Sequence, residues 1–494
     1  MRKILIFSFL LIGMSQVFAQ SKDLQVASIF TDSMVLQQGV KSSIWGKSLA
    51  NKTVTISLLD KKIVTKADDL GNWKAFLPKL KLGKPFEICI ASNKEKISLR
   101  DVLVGEVWLA SGQSNMQFNL GSNKNSAFEI KNANYPSIRY FDVEKNVSRV
   151  PLSTVKGNWK VCTPENAKRF SAVAYFFAKS LHLAKNVPVG IISASWGATP
   201  VEAWTSGESL ATNADFKDSI AKYRSSQVDW QMKYQNYIIK RDEQISKGIP
   251  VSAIINEKNY PTALYNAMIA PLIPYAIKGV IWYQGENNAR KAFQYRTLFP
   301  LLITDWRNKW NMPDMPFVYV QLPNFRAKNE QPVFKDDWTS LREAQTMALS
   351  LPNTAMAVTI DLGEEKHIHP TTKNEVGHRL FLAADHLVYG GTEIYTGPQY
   401  SAMRISNDKV ELSFKDIGKG LVSKGDELLG FEVSGADKKF YWATAKIEGD
   451  KVVVSSKDVA NPVAVRYAWS SNPTCNLYNS ADLPTRPFRT DNWE

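Results

Sequence analysis

Cysteine is scarce in this sequence: Cys89, Cys162 and Cys475 are the three present in 494 residues. They are odd in number and far apart, so a disulfide framework is excluded and one bridge is the most the chain can form. No CxxC spacing occurs, which removes the common cysteine metal and redox sites. Beyond the first twenty residues no apolar run reaches the roughly 18 residues that a membrane helix needs. No run of five or more Lys or Arg occurs either, although 61 basic against 47 acidic residues give a net charge of +14. An excess spread that thinly argues against a nucleic-acid stripe or a membrane-binding tail. Histidine is rare as well, with five in all, and His367, His369, His378 and His386 crowd into one short stretch. What is present is ordinary globular material, 44% hydrophobic and 22% charged. At roughly 150 residues per domain the length allows about two to four domains. Aromatics are plentiful at 11%, with 14 Trp, and most of them are expected in the core.

The N-terminus carries an address. Arg2 and Lys3 precede the apolar stretch Ile4–Gly13, and Val17-Phe18-Ala19 places small residues at −3 and −1 of a cut after Ala19. That is the pattern of a signal peptide over residues 1–19, and it predicts a secreted or periplasmic protein. Gln20 follows where lipid attachment would need Cys.

Residues 20–100 alternate in period two, as in Val54-Thr55-Ile56-Ser57-Leu58, and predict an N-terminal β domain. From 101 to 395 the pattern changes. Apolar strands at Leu103–Ala110, Val189–Trp196, Gly279–Tyr283, Phe317–Leu322 and Ala355–Asp361 alternate with helical stretches, which predicts a parallel sheet flanked by helices. One helix spans Lys373–Leu387, with Val376, Leu380, Ala383 and Leu387 on one face. Residues 206–248 are polar and charged and predict a helical insertion. From 396 to 494 β patterning returns.

In an open parallel sheet ligands sit beyond the carboxyl ends of the strands. Four segments carry reactive groups to that edge. Ser111-Gly112-Gln113-Ser114-Asn115-Met116 follows a strand, where a serine hydroxyl can stand exposed beside backbone N–H groups; alone, it would equally suit a helix cap. In Ser195-Trp196-Gly197-Ala198-Thr199-Pro200, Gly197 lets the backbone approach a substrate closely, or simply serves a turn. Trp282-Tyr283-Gln284-Gly285-Glu286-Asn287-Asn288 gathers amides, a carboxylate and aromatics, whose polar groups need partners. His367-Ile368-His369-Pro370 offers an imidazole as base for a serine, or two histidines toward a metal that lacks a third ligand in any recognised spacing.

Together these residues strongly resemble the sialate O-acetylesterase-like family of SGNH hydrolases, the carbohydrate acetylesterases. The resemblance begins at Gly105-Glu106-Val107-Trp108-Leu109-Ala110 leading into Ser111–Met116. It continues through Trp196–Trp204, Tyr265–Leu272, Trp282–Asn288, Asp305-Trp306-Arg307, Leu341–Gln345 and His369-Pro370 with Lys373 and Val376-Gly377. Asp32–Gln38, Cys475–Asn479 and Pro487–Asp491 extend it to both flanks. It implies an α/β, flavodoxin-like SGNH hydrolase domain flanked by β-rich segments, acting on an acetylated glycan or sialic acid without metal or other cofactor. Ser114 is implied as nucleophile and His369 as base. The N–H groups of Ser114 and Gly197 and the amide of Gln284 are implied as oxyanion donors. Gln113, Asn115, Trp196 and Glu286 are assigned to substrate binding or loop orientation.

Two positions depart from the family pattern. Ala198 stands where relatives often carry Gly, which matters only if the backbone there has positive φ. Many SGNH enzymes place an Asp two or three residues before the His, where this chain has His367 and Lys366. Glu365 is the expected orienting acid by proximity, with Glu364, Asp361 or an acid-free Ser-His dyad as alternatives. Two other functions compete with the esterase: a non-catalytic glycan-binding module, and a metal-dependent hydrolase using His367 and His369.

Overall fold

The computed structural model describes residues 23–225, 227–249 and 257–493. The expected signal segment, residues 1–19, lies outside the described residues. In Thr53–Leu58 the buried side chains are Val54, Ile56 and Leu58, as a half-buried strand requires. This strand pairs with Lys61–Lys66 and with Phe86–Ser92. Phe86–Ser92 in turn pairs with the start of β1, Glu95–Gly112, which is 18 residues long. The first residues of β1 belong to the N-terminal sheet and its last ones to the central sheet. The two parts therefore share a strand through residues 100 and 101, with no linker between them.

The central sheet holds β1, β2 (Tyr135–Asp142), β3 (Trp159–Cys162), β4 (Val189–Ser195), β5 (Gly279–Tyr283), β6 (Phe317–Val320) and β7 (Thr354–Ala357), in the order β3-β2-β4-β1-β5-β6-β7. Only β3 runs antiparallel to its neighbour. Every residue of β4, β5 and β6 is buried, the mark of a parallel sheet covered on both faces. Register shows how the faces divide. Trp108 lies opposite Gly279 and Trp282 opposite Ser111, so the two indoles leave opposite sides of the sheet. Trp108 meets Phe177 of α1 (Ala172–Lys185). Trp282 meets Phe299 and Trp306 of α2 (Ala292–Trp310). Beside these helices pack α4 (Lys373–Ala384) on α1 and α3 (Asp337–Met347) on α2. Gly377 is required at the first of these contacts, because a Cβ there would lie 2.6 Å from Phe176 Cβ. Residues 206–248 contain the helices Gly207–Leu210, Ala214–Ser225 and Gln227–Ser246.

The C-terminal part forms two four-stranded antiparallel sheets and a two-stranded one, with a core of their own around Val410, Leu412, Val433, Val452 and Val465. Arg342 of α3, fully buried, fastens it to the central α/β part. Its guanidinium donates to the carbonyls of Leu322 and Pro323 on one side and Ser470 and Ser471 on the other, all within 2.7–2.9 Å. Among the described residues no helix is long and apolar enough to cross a membrane, and the three cysteines are free thiols.

Chain order reverses at β1. The chain leaves β1 toward β2 and β4 on one side, then crosses to β5 on the other. Such a switch point opens a crevice at the carboxyl ends of the strands. Here Ser195 of β4 and Tyr283 of β5 both lie in register with Gly112 of β1. Three of the four expected segments therefore start at one level.

Candidate active site

Gly112 ends β1 at φ +136°, and a Cβ there would sit 2.1 Å from the Tyr283 carbonyl oxygen. Only glycine makes that turn. It launches the one-turn helix Ser114–Gln117, in which Gln113 takes the cap position and Ser114 the first helical one. The N–H groups of such a first turn have no acceptors within the helix. The fourth segment arrives from beyond β7 and lays His369 against the serine: His369 Nε2 is 2.8 Å from Ser114 Oγ. Gly197 completes the corner, close enough that a Cβ on it would lie 3.2 Å from Ser114 Cβ. Its N–H donates to the Gln117 side-chain oxygen at 2.8 Å. That donor is thus occupied by the Gln117 side chain. Ala198, next along, has φ +56°, so this chain accepts the left-handed conformation that a glycine would adopt without cost, at about 1–2 kcal/mol.

Beneath the pair lies a buried polar network. Asn115 donates to Glu286 Oε1 at 2.6 Å and to the Ile368 carbonyl at 2.9 Å, and accepts from the Lys373 ammonium. Gln113 accepts from the N–H groups of Gly285 and Asn287, at 3.4 and 3.3 Å, and so orients the 284–288 loop. Burial pushes the Glu286 carboxyl up, while the Asn115 hydrogen bond opposes it. Burial also pulls the Lys373 ammonium down to about 7, against the charges of Glu286 and Glu364. His369 is shifted below its ordinary value by desolvation and by the Lys373 charge. At the mouth, the Trp196 ring has two ammonium groups near it, those of Lys145 and Lys258, each 5.8 Å from its centre.

The chain also matches a known family. The family of the carbohydrate esterase, sialic acid-specific acetylesterase type matches residues 104–386. The chain belongs to that family. It is 32% identical to the human sialate O-acetylesterase over 513 residues, covering 94% of this chain and 91% of that protein. The orangutan (Pongo abelii) sialate O-acetylesterase gives the same identity and coverage. In three dimensions it is similar to a carbohydrate acetylesterase from Xanthomonas citri, with 39% identity, a TM-score of 0.84, and coverage of 95% of this chain and 100% of that one. The protein is thus an esterase of the carbohydrate acetylesterase kind.

Two of the expected site groups have other partners in the esterase's geometry. Gln284 is fully buried and its amide is committed: it donates to the Thr199 carbonyl and to Asn288 Oδ1, at 3.2 and 2.7 Å, and accepts from the Tyr295 hydroxyl. The first of these bonds ties the 284–288 loop to the 197–200 loop. The amide that reaches the 197–198 loop is the exposed one of Asn287, 3.4 Å from the Ala198 carbonyl. The second is the acid. Asp361 is held by both Arg379 nitrogens, at 2.7 and 2.8 Å. Glu364 accepts from the N–H and hydroxyl of Thr371. Glu365 is exposed, and its backbone carbonyl accepts from the Arg326 N–H. Among the described residues none of the three carboxylates hydrogen-bonds His369.

Glu365→Gln is accordingly expected to change kcat by less than about tenfold, under about 1.4 kcal/mol of barrier. The loss of a working triad carboxylate costs about 10⁴-fold, so a loss of that size in a steady-state assay would restore Glu365 as the acid. Sequence reading also passed over Gln117, Lys145 and Lys258. The lysines lie far apart in the chain, and an exposed glutamine in a short helix gives no signal.

Proposed function

We propose that the esterase is secreted or periplasmic and removes acetyl groups from sugars through an acetyl-Ser114 intermediate, with His369 as its base and no orienting carboxylate. The observation that carries this reading is the 2.8 Å contact between Ser114 Oγ and His369 Nε2 at the switch-point crevice. His369 Nε2 takes the hydroxyl proton as Ser114 Oγ bonds to the acetyl carbon, and the carbonyl electrons move onto oxygen. The N–H groups of Ser114 and Gly197, with the Asn287 amide, stabilise that oxyanion once it displaces the Gln117 side chain. Collapse expels the sugar oxygen, which receives the proton from His369. Water, activated by the same imidazole, then releases acetate. Full activity in the presence of a chelator separates this route from metal-assisted hydrolysis through His367 and His369.

The sugar proposed is one that carries a carboxylate, sialic acid in the first place, in preference to a neutral plant glycan. Lys145 and Lys258 support this, since both flank Trp196 and the Lys258 ammonium donates to the Gly197 carbonyl at 2.8 Å. Burial lowers the ammonium of each, and for Lys145 the pull of Asp142 opposes this while the charge of Lys258 adds to it. An anion beside the indole would relieve that like-charge repulsion. The test is acetate release from acetylated sialic acid, acetylated xylan and acetylated pectin. A double Lys145→Ala, Lys258→Ala variant is expected to lower kcat/KM for the acidic sugar relative to a neutral one at least about tenfold. The ratio is the readout because Lys258 also supports the Gly197 loop. Equal losses on both sugars would remove the carboxylate assignment.

A further inference from the structure

Lys373 opens α4, where a helix of the sheet's outer layer meets the core, and it is fully buried. Its ammonium lies 5.2 Å from the ring centres of both Phe118 and Tyr283. Placing an ammonium among apolar groups costs several kcal/mol unless its partners are good, and its hydrogen-bond partner here is a neutral amide, Asn115 Oδ1. A second charge lies at the opposite end of the same amide, where Asn115 Nδ2 meets Glu286 Oε1 at 2.6 Å. The other Glu286 oxygen is buried and without a partner among the described residues. A cation at its oxygen and an anion at its nitrogen fix the amide of Asn115 in one orientation, since a flip would reverse both charge-assisted bonds. In that orientation the remaining donor of Nδ2 falls on the Ile368 carbonyl at 2.9 Å. Ile368 directly precedes His369, and Asn115 directly follows Ser114.

We propose that Lys373 is a positioning residue of the reaction: through Asn115, itself polarised by Glu286, it fixes the Ile368 carbonyl and so sets the His369 imidazole against Ser114. The network thereby does what an orienting carboxylate does in a triad, by holding the backbone of the base's loop and not its ring. This rests on the Ser114–His369 reading of the site. Lys373 also acts electrostatically. The charge that acts on His369 is that of Lys373 from α4, which itself lies under the charges of Glu286 and Glu364. The Lys373 charge disfavours the imidazolium and keeps the free base available at lower pH.

The test uses the full chain with a chromogenic acetate, and reads kcat, KM, the pH profile of kcat/KM and the amplitude of the acyl-enzyme burst. Lys373→Met is expected to lower kcat at least about thirtyfold with KM within about threefold, and to move the acidic limb to higher pH. Asn115→Leu is expected to lower kcat similarly with the limb in place, because the charge remains. The double variant is expected to lose no more than about threefold beyond the worse single, as for residues that act as one unit. A Lys373→Met protein that lowers only the melting temperature or the burst amplitude, with its limb unmoved, would overturn the proposal, and so would additive losses. If Lys373→Met does not fold, Asn115→Leu decides: a kcat within about threefold of wild type would also overturn it. Ser114→Ala tests the underlying reading separately, since its outcome does not depend on how His369 is held.

Discussion

Ser114→Ala is expected to give a folded protein whose ester hydrolysis has fallen by on the order of 10⁶-fold, the cost of deleting a covalent nucleophile. Folding should survive because the hydroxyl supports little. Its partner is His369 Nε2 on an exposed ring, and the cap position of the following helix belongs to Gln113. Even a lost helix cap would cost only about 1 kcal/mol. The acyl-enzyme route also predicts that the residual rate shows no burst, since no acetyl group can be parked on alanine. The measurement is kcat on a chromogenic acetate beside a thermal melt. A folded variant that keeps a tenth of the wild-type rate would remove Ser114 from the chemistry.

Much of this corner could be read in the chain because the fold turns sequence adjacency into spatial order. Each apolar run of the sheet ends at the same level, so the residues that follow β1, β4 and β5 must meet, and Ser114, Gly197 and the 284–288 loop do meet. What adjacency could not supply was the direction of side chains. Glu365 is near His369 in sequence, yet it points to solvent, while Asp361 and Glu364 are spent on Arg379 and Thr371. Gln284 sits in the right loop, but full burial obliges its amide to satisfy Thr199 and Asn288. Lys373 shows a signal that was present and not used. The apolar stripe of Val376, Leu380, Ala383 and Leu387, continued back by three residues, falls on Lys373. A lysine at a core position of an amphipathic helix must find a polar partner inside the protein. The helix itself runs from Lys373 to Ala384 and then widens into a π-helical turn at Asp385–Tyr389, so the predicted end at Leu387 falls inside that continuation.

His369→Ala is expected to cost about as much as the serine variant, because the two act as a unit and neither works alone. A serine hydroxyl near neutral pH is almost entirely protonated, and without an acceptor at 2.8 Å its proton has nowhere to go as the bond to the acetyl carbon forms. The pH profile carries the finer test. The base must be neutral to accept the proton, so activity falls as pH drops through the imidazole's own pKa. Desolvation and the Lys373 charge both disfavour the imidazolium, so the acidic limb should lie below the ordinary imidazole value of 6.5. In His369→Ala that limb should vanish. Because the ring is exposed, the variant leaves an opening to solvent, and added imidazole is expected to recover part of the rate with a dependence on the concentration of its neutral form. An acidic limb that persists unchanged in His369→Ala would assign the proton transfer to another group.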